Sequence, residues 1–135
     1  MQILIDADAL VALAKSDDIH HARALEISSG LKHRRVDFGI SPFAIPEAAT
    51  VLSYKVSHDA AKKILEAARG SEFAELELTD EVRELADTWF LKLNQKGTSY
   101  FDCVNLALLQ NYGFDAIFSF DKIYGKNGFR LAGQS

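Results

Sequence analysis

Gln2-Ile3-Leu4-Ile5-Asp6-Ala7-Asp8-Ala9-Leu10 is the stretch on which the fold turns. Its first four residues and Asp6 form a short run rich in Ile and Leu, too short for a helix and suited to a buried strand. The acid stands where that strand ends, and the residues after it predict a helix from about Ala9 to Lys15. Outward from this unit the pattern repeats. Asp18 is placed to cap a helix that carries Ile19, Ala22, Ala24, Leu25 and Ile27 and stops near Gly30. A second strand is expected near Val36–Ser41, and Ser41-Pro42 opens a helix reaching about Lys55. Ser57 caps a helix over His58–Arg69 that ends at Gly70. A strand over Ala74–Leu78 shows alternating Glu and apolar residues, with one face toward water.

The C-terminal half continues the alternation. Thr79 with Asp80 and Glu81 starts a helix that runs to about Gln95. Ser99-Tyr100-Phe101-Asp102 is close to a capping box, with Asp in place of Glu, and opens a strongly apolar helix that ends at Gly113. Ala116–Phe120 reads as a buried strand and Phe129–Ala132 as a last short edge strand. Strands that alternate with helices, without a hairpin signal between two strand runs, imply parallel pairing through crossovers and an α/β fold.

Composition sets the remaining bounds. A chain of 135 residues, 48% hydrophobic and 25% charged, makes one soluble domain spanning residues 1–135. No run approaches the roughly 20 apolar residues of a membrane span. The first residues lack the basic segment of a signal peptide. Cys103 is the only cysteine, so no internal disulfide forms, which fits a cytoplasmic location. A net charge of −4 argues against binding nucleic acid through a broad basic face. Contact with RNA would need a local basic rim or bound metal.

Four acids share one setting. Asp6 and Asp121 follow buried strands directly, whereas Glu47 and Asp102 lie in the first turns of helices. In an open parallel sheet the crevice beyond the carboxyl ends of the strands is where ligands bind, and all four acids can face it. Each acid also has a purely structural role open to it: a helix cap for Asp6 or Asp8, dipole complementation for Glu47, a capping box for Asp102, a polar turn for Asp121. Together, beside a packed core, they repel one another and call for a cation. Carboxylate and water ligands suit Mg²⁺ or Mn²⁺. Zinc would want His or Cys, and His20, His21, His33 and His58 show no spacing that joins them to the acids. His20-His21 reads as a solvated stretch of the second helix, and Cys103 as a small core residue.

These residues resemble the PIN-domain family, and within it the small toxins of the VapC type, over nearly the whole chain. Ile3-Leu4-Ile5-Asp6-Ala7-Asp8-Ala9-Leu10 is similar to the family's first motif. Ser41 with Glu47 resembles its second, Asp102 with Asn105-Leu106-Ala107 its third, and Ser119-Phe120-Asp121 its fourth. The resemblance implies a three-layer α/β/α fold with a central, mostly parallel sheet of four to five strands. It implies a metal-dependent endoribonuclease in which Asp6, Glu47, Asp102 and Asp121 are catalytic and hold Mg²⁺ or Mn²⁺. It also implies an RNA substrate, a homodimer and a cognate antitoxin protein. Ser119 is expected to orient Asp121, and Lys122, Tyr124 and Lys126 to hold flanking phosphates at the mouth. The apolar and basic residues of the second to fourth helices (Arg23, Lys55, Lys62, Lys63) offer a surface for an amphipathic antitoxin helix.

Two positions depart from the family pattern: Asp8 stands where Asn, Ser or Thr is usual, and Phe120 where a polar or basic residue is frequent. Three other functions compete, one of them a housekeeping RNA-processing nuclease without an antitoxin. Asp6-Ala7-Asp8 after a strand suggests a phosphatase of the haloacid dehalogenase type, but Leu10 replaces that class's Thr or Val and Asp121 is followed by Lys122 rather than an acid. A PIN-like module that binds RNA or protein without cutting would be expected to lack one or two of the acids, and all four are present.

Overall fold

The computed structural model describes residues 1–134. Its elements run β1 (Gln2–Ile5), α1 (Ala7–Ala14), α2 (His21–Lys32), β2 (Asp37–Ile40), α3 (Ala44–Lys55), α4 (His58–Arg69), β3 (Ala74–Glu75), α5 (Asp80–Lys92), α6 (Tyr100–Tyr112), β4 (Ala116–Phe118) and α7 (Ile123–Lys126). The four strands form one sheet in the order β3-β2-β1-β4, parallel throughout, with Ile5 level with Ile40 on one side and with Phe118 on the other.

Side-chain alternation along the central strand builds the layers. Ile3 and Ile5 enter a core lined by α1, α2, α3 and α4, whereas Leu4 between them enters a second core with α5 and α6. Strand β4 repeats the division, with Ala116 and Phe118 to the first core and Ile117 to the second. A strand buried on both faces has no polar position to spare, which is why its sequence reads as an unbroken apolar run. The three-layer α/β/α arrangement expected from the sequence is the one present.

Local signals set most boundaries. Ser57 Oγ accepts from Ala60 N at 3.1 Å and Thr79 Oγ1 from Val82 N at 3.2 Å, each satisfying a helix-end donor. Gly113 ends α6 in the left-handed region, at φ 66°. Helix α1 begins at Ala7, two residues before the sequence suggests, because Asp6 itself caps it through Ala7 N.

Three expectations need correction. Strand pairing beyond Ile40 covers only Ala74–Glu75, after which Leu76 and Leu78 turn into the second core. The last edge strand reduces to one bridge, Ile117 with Leu131, because the chain pairs around Ile117 alone before turning at Gly133, φ 88°. Helix α7 is too short for its apolar spacing to be read in advance. It follows the turn in which Asp121 Oδ1 accepts Ile123 N at 2.9 Å. No helix among the described residues is long and apolar enough to cross a membrane.

Gly39 lies close against the Phe114 ring. A Cβ there would come within 2.6 Å of Phe114 Cζ, so the usual gain from Gly→Ala in a strand is reversed by overpacking of about 1–3 kcal/mol. Gly39→Ala is expected to lower the melting temperature by several degrees, and Phe114→Leu added to it to recover part of the loss. A higher melting temperature for the single variant would contradict this packing.

Candidate metal-binding site

The carboxyl ends of β1 and β4 lie side by side, and each is followed by an acid. Asp6, only 7% exposed, is hydrogen-bonded inside the protein through both carboxylate oxygens. Its Oδ1 accepts from Ala7 N at 2.8 Å and from Asn105 Nδ2 at 3.2 Å. Its Oδ2 accepts from Ser119 Oγ and from the Tyr124 hydroxyl, both at 2.9 Å. Asn105 comes from α6, Ser119 from just beyond β4 and Tyr124 from α7, so one carboxylate ties four elements together.

Around this centre lie the other acids. Asp102 sits in the first turn of α6, whose N-cap Ser99 accepts Phe101 N through Oγ at 3.1 Å rather than closing a capping box on Asp102 N. Asp102 Oδ1 is 3.3 Å from the Tyr124 hydroxyl. That hydroxyl has one proton and a carboxylate on either side, while Asn105 Nδ2 donates to its oxygen at 3.0 Å. Asp8 Oδ2 accepts from Phe120 N at 2.9 Å and lies 3.2 Å from Ser119 Oγ. Asp8 Oδ1 is buried with no partner. Glu47, half-buried on the first turns of α3, faces Asp6 and Asp102 closely enough for their charges to act on it.

The electrostatics follow from this crowding. Burial raises the Asp6 pKa, against the pull of its hydrogen bonds. Burial and then the Asp6 charge push Asp8 up to about 7. Burial, with Asp6 and Asp102 adding to it, takes Glu47 to about 7. Asp102 rises to about 6, through burial first and then Asp6 and Asp121. The Tyr124 hydroxyl is raised well above its ordinary value by burial and by the two carboxylates beside it. Among the described residues, no Lys, Arg or His side chain pairs with these acids. The ion pairs among the described residues, Lys15–Asp17, Arg23–Glu26, Arg69–Glu75 and Arg83–Asp80, all lie elsewhere.

The structure thus brings Asp6, Glu47 and Asp102 together and draws Asp8 in with them. Asp121 differs from expectation. It is exposed and accepts Ile123 N through Oδ1 in the turn that leads into α7, although its charge reaches Asp6, Asp8 and Asp102. Ser119 does not orient the Asp121 side chain. Its hydroxyl donates toward Asp6 and accepts Asp121 N at 3.1 Å. Tyr124 is not at the mouth to meet phosphates, since it is fully buried at the centre of the acids. The sequence reading missed Asn105 and Tyr124 as partners of Asp6. The one available signal was Asn105, a polar residue on the otherwise apolar α6 face.

Among the described residues, no group of three His, Cys, Asp or Glu side chains is arranged to hold a metal ion. The donor set nevertheless fits a hard divalent ion. It is all carboxylate, it is uncompensated, and it leaves Asp8 Oδ1 buried without a partner. Beside it lies a cleft of about 330 Å³ lined by Asp102, Phe120, Asp121, Lys96, Lys122 and Lys126 among others.

Residues 3–129 match the PIN domain family, and the chain belongs to that family. VapC20 of Mycobacterium tuberculosis, described as a sarcin–ricin loop cleaving toxin, has a similar structure, with a TM-score of 0.83 at 20% identity over 94% of this chain and 95% of that one. VapBC2 from Rickettsia felis, bound to a DNA fragment from their promoter, has a TM-score of 0.68 at 11% identity over 97% of this chain and 96% of that one. No curated protein matches the chain by sequence.

The raised carboxylates predict how the metal-free protein responds to pH. Asp8 and Asp102 ordinarily titrate at 3.8 and Glu47 at 4.5, but in the fold they hold protons up to about 6 or 7. Between those limits the folded state binds more protons than the unfolded one, so stability falls as pH rises. In EDTA the urea midpoint is expected to be lower at pH 7.5 than at pH 5. Saturating Mn²⁺ should reverse the trend, because ligands must lose their protons to bind. A midpoint in EDTA that rises over this range would show that the acids are not strained.

Proposed function

We propose, with membership of the PIN-domain family as the premise, that this protein is a divalent-metal-dependent endoribonuclease and the toxin of a toxin–antitoxin pair. The observation that carries the reading is the uncompensated carboxylate cluster at the ends of β1 and β4. A fold that buries Asp6 and crowds Asp8, Glu47 and Asp102 around it without a cation is organised for a cation it acquires. The likeness to VapC20, described as cleaving the sarcin–ricin loop, supports RNA as substrate, and the likeness to VapBC2 supports an antitoxin partner. The apolar and basic surface of α2 to α4 is the face assigned to that partner, and a homodimer is the expected assembly.

Asp6, Asp102 and Glu47 are the residues assigned to hold Mg²⁺ or Mn²⁺, with Asp121 acting from the rim and Asp8 Oδ1 free to contribute. A bound ion of this kind supplies an acidified water near neutral pH and offsets charge on the phosphate. The protein's own groups do the rest. Ser119, Asn105 and the Ala7 amide fix the Asp6 carboxylate in one orientation. Tyr124, with its pKa raised, keeps its proton and shares it between Asp6 and Asp102, which holds the two carboxylates at a set spacing. Lys122 and Lys126, exposed on the cleft wall, attract the phosphates on either side of the scissile one.

Cleavage of a mixed RNA by the purified protein in Mg²⁺ or Mn²⁺ is the direct test. Asp6→Asn and Asp102→Asn are each expected to reduce it by about a hundred- to a thousandfold, with circular dichroism unchanged, and excess EDTA to stop it. Cleavage that persists in EDTA, or normal turnover in either variant, would remove this assignment.

A further inference from the structure

The turn before α2 brings an aromatic ring to the same rim. His20 and Phe120 stack face to face, with 4.4 Å between ring centroids and 3° between planes. His20 is exposed and forms the outer ring of the pair, whereas Phe120 is half-buried and meets Phe118 edge-on. The rings are held by their contacts with each other and with Phe118, and the backbone beneath each is anchored. His20 N donates to Asp18 Oδ1 at 2.8 Å, and the neighbouring His21 ring places Nδ1 2.6 Å from Ala12 O. Phe120 N donates to Asp8 Oδ2 at 2.9 Å. The stack therefore stands ready-made, and a ligand that uses it has little side-chain freedom to quench. Its inner ring also lines the cleft that holds Asp102, Asp121 and the three lysines.

Unpaired RNA offers phosphates and flat bases. With a net charge of −4 the chain has no broad positive face with which to hold phosphates, and the acids repel them. Affinity must come from the local lysines and from contacts that do not depend on charge. An exposed, pre-ordered aromatic face within reach of the acids supplies the second kind, since every base has a π-face. We propose that the His20–Phe120 pair is a nucleobase platform, on which one unpaired base beside the cleaved phosphate stacks against the outer face of His20. The proposal rests on the ribonuclease reading above and adds the group that places the single strand. It also gives Phe120 a role as the flat backing of that platform.

The test is binding of short single-stranded RNAs in which 2-aminopurine is moved one position at a time, in EDTA and, with phosphorothioate linkages that resist cleavage, in Mg²⁺. Wild type is expected to quench one position. His20→Ala, an exposed change, should abolish that quenching and weaken binding about tenfold, the lower part of the range for one base stack. An abasic nucleotide at that position should cost wild type the same factor and cost His20→Ala nothing further. His20→Tyr should restore both signals, and His20→Lys should not. Unchanged affinity in His20→Ala would overturn the platform while leaving metal-dependent cleavage intact. Rescue by Lys but not by Tyr would overturn it in favour of a phosphate contact. RNA that binds under neither condition would remove the platform and the ribonuclease reading together.

Discussion

The arrangement depends on one buried carboxylate. Asp6 ends the central strand, caps the helix that follows, and accepts hydrogen bonds from Asn105 on α6, Ser119 beyond β4 and Tyr124 on α7. A charge in that position is costly unless it is fully hydrogen-bonded. The four donors satisfy it and, in doing so, fix the carboxyl edge of the sheet. Segments distant in sequence thus meet at one atom group, and this is the place where the cleft opens.

Stability and function pull against each other at this point. Hydrogen bonds lower the Asp6 pKa, yet burial outweighs them, and the neighbouring Asp8, Glu47 and Asp102 are raised in turn. A fold selected for stability alone would place a Lys or Arg among them. Instead the lysines stand along the cleft wall beside Asp102 and Asp121, without an ion pair to either among the described residues. Tyr124 is the compromise: a neutral donor between two carboxylates, which limits the repulsion without occupying the place of a cation.

Much of this was legible in the sequence because it is written in local rules. The apolar runs at residues 3–5 and 116–118, the caps at Ser57, Thr79 and Ser99, and the stop at Gly113 each state their structure within a few residues. The acids at the strand and helix ends were legible for the same reason. What escaped depends on distant partners. Nothing near Tyr124 in sequence says that its hydroxyl reaches Asp6, 118 residues away. Nothing near His20 says that it meets Phe120, so the solvated-helix reading of His20 overlooked a stack. Asp121 was read as a core-edge acid because it follows an apolar strand, but Ser119 and Phe120 lie between it and the end of β4, and the chain has already turned outward.

If a cation occupies this cluster, the carboxylates are strained without it and relieved by it. Thermal melting of wild type and Asp102→Asn, each with EDTA and with millimolar Mn²⁺, tests this most directly. Asn also caps a helix well, so the substitution removes charge at little cost to α6. The variant is expected to melt at or above wild type in EDTA. Metal that binds only the folded site adds about 2.7 kcal/mol at one hundred times its Kd, so Mn²⁺ should lift wild type clearly and the variant much less, reversing their order. Equal shifts in both proteins would contradict this and leave Asp102 as an acid in the first turn of α6 only.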